Sequence, residues 1–414
     1  MKAWRQARIV VIILIVGTVV STAGCWSRNE IEDIGFVLSV GVDHAAKEGE
    51  LMITVHIAKP FAIATAVSSA VDEKPFWQVS STGHTVFEAI RNLRQQSPRR
   101  PLLSHSRFVV FGEEFARGGI GNAIDFFFRE GEIRETCVVV VAKGVKASEV
   151  VWNEFELERM PSEGALGIMR IATRELSTTV MITLNDFLQM IETEGFEPVA
   201  SRAELVRRPP SEDPRGELKR ETVSVSGRET GAAAFKGDKL VGWLDKTQTR
   251  GLQWVKGKVR SGIIVIEQPE KKDRFVSIEI LRASATVTPK VVGGRPSVLI
   301  KVGALGNMGE VQEFFDPMES EKIWVSMEQR MAEVIRQEIE AALDIAKHDF
   351  NSDIFGFGCA ICRKYPEEWA ALKDKWDEEF PKLNVDIEVK ASLRRSGLAR
   401  RSVRIVSAGE DKER

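Results

Sequence analysis

The segment Ile34-Gly-Phe-Val-Leu-Ser-Val-Gly-Val-Asp43 is a nearly continuous apolar run. Its branched and aromatic side chains favour an extended, buried strand. Leu51-Met-Ile-Thr-Val-His-Ile-Ala58 has partly alternating apolar residues, and the polar residues 45–50 separate the two segments as a turn. The pattern therefore predicts a β-hairpin whose strands belong to the core of a folded unit.

The chain that follows this hairpin alternates between helical and extended patterns. Thr85-Val-Phe-Glu88 has the capping-box spacing that begins many helices. Strands are predicted at Phe108-Val-Val-Phe111 and within residues 136–142, with a helix at residues 121–128 between them. This order indicates helices layered on a sheet.

The second half of the chain has its own set of strands and helices. Strands are predicted across residues 231–302, a long amphipathic helix across 320–349, and a last strand across 384–390. The charged, Pro-rich residues 206–224 are predicted to be a linker or exposed loop. We therefore expect an α+β protein with several β-sheet units flanked by helices. Its predicted divisions are residues 1–24, 25–205, 206–224, 225–400 and a charged tail at 401–414.

The N-terminus has the pattern of a bacterial lipoprotein signal peptide. Cations precede an apolar stretch at residues 9–20, and Ser21-Thr-Ala-Gly-Cys25 follows. Cleavage before Cys25 would leave it as the N-terminus, carrying a diacylglycerol and a fatty acyl chain such as palmitate that enter the bilayer. Thr22 departs from the pattern, because lipoprotein signal peptides usually carry Leu, Val or Ile at this position. The alternative is an uncleaved membrane helix, but about a dozen apolar residues are short of the roughly 20 needed to span.

Composition and motif spacing exclude several classes of function. The formal charge is −2, and loss of the three signal cations leaves about −5, which does not favour nucleic-acid binding. The five histidines have no paired-ligand spacing, so we expect no metal site, and the sequence shows no Gly-x-Ser-x-Gly elbow or phosphate loop that would indicate a cofactor or catalysis. Three roles stay open for Cys359-Ala-Ile-Cys362: a disulfide, a pair of structural thiols or a redox pair.

Several strings, in order, resemble one known family. Gly24-Cys-Trp-Ser-Arg-Asn-Glu-Ile-Glu-Asp33 has the acylated cysteine followed by Trp and a polar stretch. The later strings are Phe235-Lys-Gly-Asp-Lys-Leu-Val-Gly-Trp-Leu244, Thr249-Arg-Gly-Leu-Gln-Trp-Val-Lys-Gly-Lys258, Asp353-Ile-Phe-Gly-Phe-Gly358, Tyr365-Pro-Glu-Glu-Trp-Ala-Ala-Leu-Lys-Asp-Lys-Trp376 and Phe380-Pro. The chain resembles the Ger(x)C family, the C subunits of spore germinant receptors, over nearly its whole length.

The resemblance implies a non-enzymatic lipoprotein on the outer face of the spore inner membrane. Its partners would be integral membrane A and B subunits of a receptor that responds to nutrients. Arg250, Trp254 and Lys256 are candidate partner-contact residues, and their alternative role is packing at strand edges and turns. Two other functions are left open: an extracytoplasmic solute-binding lipoprotein that captures the germinant, and an oxidoreductase that uses Cys359 and Cys362.

Overall fold

The computed structural model describes residues 2–22, 30–60, 74–153, 155, 157–207, 225–228, 230–269, 271–312 and 321–394. Cys25, most of the predicted linker and the tail at 401–414 lie outside these residues. The helices are α1 (Lys2–Thr22), α2 (Val86–Asn92), α3 (Glu113–Gly118), α4 (Gly121–Arg129), α5 (Ala147–Val151), α6 (Pro161–Ile171), α7 (Leu184–Glu192), α8 (Lys246–Val255), α9 (Glu321–Asp344), α10 (Phe357–Lys364), α11 (Pro366–Leu372) and α12 (Trp376–Glu379). None of the helices in these ranges combines the length and apolar character needed to cross a membrane.

The strands are β1 (Ile34–His44), β2 (Leu51–Ala58), β3 (Phe76–Gly83), β4 (Arg100–Leu102), β5 (Phe108–Gly112), β6 (Val138–Ala142), β7 (Val199–Arg207), β8 (Val225–Arg228), β9 (Ala232–Lys236), β10 (Lys239–Leu244), β11 (Ile263–Glu267), β12 (Phe275–Val292), β13 (Arg295–Val311) and β14 (Asn384–Leu393). They form a ten-stranded and a four-stranded sheet. The α+β class predicted from the sequence is confirmed.

The predicted hairpin lies near one edge of the larger sheet, with only β3 beyond it. β1 pairs antiparallel with β2 and, on its other edge, parallel with β5. The sheet order is β10-β9-β7-β6-β5-β1-β2-β3. All residues of β5 and β6 and the part of β1 from Ser39 to Asp43 are buried, as their continuous apolar sequences require when helices cover both faces.

The chain after the predicted linker returns to the larger sheet. β9 pairs antiparallel with β7, and β10 extends the same edge. The turn between them is fixed by Asp238, whose main-chain and side-chain oxygens accept hydrogen bonds from Ile120 N (3.0 Å) and Gly121 N (3.0 Å). The boundary predicted at residues 206–224 therefore does not separate the two sheets, because pairing with β7 places residues 232–244 in the first one.

The smaller sheet is built on one long hairpin. β12 pairs with β13 along almost its whole length, with an irregular register near Leu281. β14 adds parallel to β13. One face of this sheet and helix α8 pack against α9, whose buried residues recur at helical spacing: Ile323, Met327, Met331, Ile335, Ile339 and Ala342.

Candidate functional site

Helix α8 lies at the junction of the two sheets, in a segment where strand edges and turns were the expected structure. Asp245 begins the helix: its Oδ1 accepts from Gln248 N (2.8 Å), and Gln248 Oε1 accepts from Asp245 N (2.9 Å). This reciprocal capping, with apolar residues at Leu252 and Val255, is the sequence signal that predicts a helix here. The strand-edge interpretation was wrong.

Glu338, a buried carboxylate of α9, binds two of the predicted contact residues, Arg250 and Trp254. Glu338 is 4% exposed; its Oε2 accepts hydrogen bonds from Arg250 Nε (2.9 Å) and Trp254 Nε1 (2.8 Å), and its Oε1 pairs with the Arg250 guanidinium. Trp254 is 1% exposed. The structure thus contradicts a surface partner contact at Trp254 and gives Arg250 an internal ion pair, because both side chains donate to a carboxylate that is buried between two helices.

Asp353 organises the loop between α9 and α10. Its carboxylate is 3% exposed and accepts from the backbone N–H groups of Gly356 (2.9 Å), Phe357 (3.1 Å) and Gly358 (2.8 Å). Its Oδ2 also accepts from Trp376 Nε1 (3.1 Å). Burial raises the pKa of Asp353 to about 6, and these four donors oppose that rise. The family motif at residues 353–358 is therefore a capped helix start.

The same motif joins the larger sheet to the C-terminal helices through close backbone packing. Glu197 N donates to Asp353 O (3.0 Å), and Cys359 N donates to Gly195 O (3.0 Å). A Cβ on Gly358 would lie 2.8 Å from Gly195 Cα and 2.7 Å from the Trp369 ring. Only glycine at both positions lets the two chain segments approach so closely.

Lys256 is the predicted contact residue that faces open space. Its ammonium lies 3.9 Å from the centre of the Phe196 ring. Burial lowers the pKa of Lys256 to about 7, partly offset by attraction to the carboxylate of Asp353. Lys256 also lines a cleft of about 500 Å³ between α7, the turn at residues 173–174 and the end of α8.

Cys359 and Cys362 lie one turn apart on α10, and both are free thiols. Cys359 is buried, and burial raises the pKa of its thiol. Burial also raises the pKa of Cys137 to about 12. Reactive cysteines have lowered pKa values, so this arrangement favours structural thiols over a redox pair. Within the described ranges, no group of three or more His, Cys, Asp or Glu side chains is placed to hold a metal ion.

Two family models match the chain in order. The spore germination protein N-terminal domain matches residues 27–205, and the spore germination B3/GerAC-like C-terminal domain matches residues 230–397. The chain belongs to this family of spore germination proteins. The Ger(x)C resemblance read from the sequence is confirmed.

Full-length relatives of the family support the same assignment. The chain is 26% identical to spore germination protein KC of Bacillus subtilis (strain 168) over 403 residues, covering 95% of this chain and 97% of that protein. It is 22% identical to spore germination protein B3 of the same organism, covering 88% and 92%. The crystal structure of the GerBC protein superimposes with a TM-score of 0.54 at 16% identity, covering 86% of this chain and 96% of that one. That likeness shows the shared fold.

Proposed function

We propose that this protein is the membrane-anchored lipoprotein subunit of a nutrient germinant receptor and acts by assembly with integral membrane A and B subunits. The observation that carries the proposal is the ordered match of both family domains over nearly the whole chain. Two relatives that bear the names of spore germination proteins match 95% and 88% of the chain. On this proposal Cys25 carries the acyl chains, and the protein lies on the outer face of the spore inner membrane.

The internal structure supports a binding role over a catalytic one. Residues of the family motifs make internal contacts: Arg250 and Trp254 bind Glu338 of α9, and Asp353 fixes the loop that packs on Gly195. A rigid body on a lipid anchor needs only modest contacts with its membrane partners, because the anchor raises the local concentration.

The Cys25→Ala change tests the proposal in spores. We expect the variant protein to fold with unchanged thermal stability, to leave the membrane fraction and to slow nutrient-triggered germination at least tenfold, since the acyl chains on Cys25 supply the membrane affinity. Membrane fractions are probed by immunoblot, and germination is followed by loss of absorbance. Cys362→Ala is the matched control and should behave as wild type. Normal membrane retention and normal germination of Cys25→Ala would refute the proposal.

A solute-binding lipoprotein is the second candidate, and the cleft beside Lys256 is the observation that favours it. Its volume of about 500 Å³ falls within the range of small-molecule sites. Its lining is cationic, which does not suit neutral sugars. Calorimetry with a panel of amino acids and sugars tests this candidate, and an absence of heat across the panel would remove it.

A further inference from the structure

The cleft at the junction of the two sheets carries a surplus of positive charge. Five cations line it, together with one carboxylate: Arg174, Lys256, Lys258, Arg260, Arg363 and Asp186. The carboxylate is already used, because Asp186 Oδ2 accepts hydrogen bonds from the backbone N–H (3.1 Å) and the hydroxyl (2.7 Å) of Thr183 at the start of α7. The cations therefore face the cleft without a carboxylate of their own.

None of the five cations forms an ion pair within the part of the chain that the structure describes. Lys256 is the deepest of them, and its ammonium rests on the face of Phe196. Asp353, the carboxylate that attracts Lys256, accepts its hydrogen bonds from three backbone N–H groups and an indole instead. Lys256 is half-buried, and an ammonium that is partly withdrawn from water without a hydrogen-bonded counter-charge would be stabilised by an anion in the cleft.

The rim of the cleft is held in place by the fold. Ser177 is fully buried with φ 53°, and its hydroxyl accepts from Arg260 N (3.2 Å) and donates to Ser261 O (2.7 Å). These bonds tie the turn that carries Arg174 to the loop that carries Arg260. The same two arginines line an adjoining cleft of about 750 Å³ together with Arg170 and one carboxylate, Glu175. The cationic lining therefore continues onto the surface.

We propose that this cleft binds a phosphate group. Four more cations than carboxylates suit a doubly charged anion better than a single carboxylate, and arginine side chains match the geometry of phosphate oxygens. The phosphate can belong to the headgroup of an anionic lipid or to a soluble phosphate ester. The inference stands apart from the receptor role, because it is measured as binding by the purified protein.

The test uses the full-length lipoprotein in lipid nanodiscs. Calorimetric titration with inorganic phosphate and with glycerol 3-phosphate is carried out in discs of phosphatidylcholine and in discs that contain phosphatidylglycerol. Lys256→Met and Arg260→Gln remove cations from the cleft. Lys246→Met, at the exposed start of the same helix, and Arg282→Gln, exposed on β12, are the matched controls.

We expect saturable binding in phosphatidylcholine discs, at least tenfold weaker in either cleft variant, unchanged in both controls and weakened by added salt. Loss of this binding in phosphatidylglycerol discs would identify the lipid headgroup as the occupant, and equal binding in both discs would identify a soluble phosphate. Thermal unfolding of Lys256→Met should occur at or above the wild-type temperature. No heat with either probe, or binding unchanged in both cleft variants, would overturn the proposal.

Discussion

Helices α8 and α9 approach each other at Gly251, and a single added methyl group there tests the packing of the junction. A Cβ at this position would lie 1.9 Å from the carbonyl oxygen of Glu338 and 2.9 Å from Ala342 Cβ. Ordinary contacts to a Cβ begin near 3.4 Å, so Gly251→Ala requires the helices to separate by about 1.5 Å.

The cost of that separation has three parts. Overpacking a well-filled site costs about 1–3 kcal/mol. Moving Glu338 away from Arg250 and Trp254 weakens hydrogen bonds to a charged group, each of which contributes about 1.5–3 kcal/mol. Alanine forms helices better than glycine does, which offsets about 1 kcal/mol of this loss in the free energy of unfolding. We therefore expect Gly251→Ala to lower the free energy of unfolding by about 2–4 kcal/mol.

The assay is urea unfolding of the purified full-length protein, followed by tryptophan fluorescence and linear extrapolation. Gly167→Ala is the matched control, because it lies within α6 and a Cβ there meets no atom within 4 Å. That change should stabilise the protein by about 0.5–1 kcal/mol. If Gly251→Ala is as stable as Gly167→Ala, the close packing of α8 on α9 described above is incorrect.

Two further perturbations address the buried charges of the junction. Glu338→Ala should lower the free energy of unfolding by about 3–5 kcal/mol, because it leaves the buried guanidinium of Arg250 and the indole N–H of Trp254 without their acceptor. The control Glu340→Ala, on the exposed face of the same helix, should have no measurable effect. Equal urea midpoints for the two variants would refute this prediction. The pKa of Lys256 is lowered to about 7 in the folded state, so the unfolded chain binds more protons between pH 7 and 10. Stability should therefore rise with pH across that window in wild type and in Lys246→Met but less in Lys256→Met, and parallel pH profiles of thermal unfolding for all three would contradict the assignment.

Most of the secondary structure could be predicted because its signals are local. The apolar run of β1, the spacing of buried residues along α9 and the Thr85 cap of α2 each depend on neighbours within a few residues. Helix α8 was missed although Asp245 and Gln248 supplied a comparable signal. The residue types in segment 249–258 predict surface contacts, and this prediction leaves out the helical spacing of the apolar residues in the same segment.

The roles of the candidate site residues could not be predicted in the same way. Whether Trp254 is a contact or a core residue depends on Glu338, 84 positions later in the chain. Lys256 and Arg363 meet at one cleft only because the fold brings α10 beside α8. Cys25 is the exception, since a signal peptide is recognised as a linear sequence, and its lipidation stays a prediction.

The sequence by itself determined the α+β class, the order of the strands, the lipoprotein signal pattern and the family. These properties are carried by local periodicity and by linear strings. Only the tertiary structure decided that residues 232–244 complete the first sheet, that Arg250 and Trp254 serve one buried carboxylate, and that five cations share a cleft. The reason is physical: strand pairing and charge burial are set by which distant segments exclude water together, and no local propensity encodes that choice.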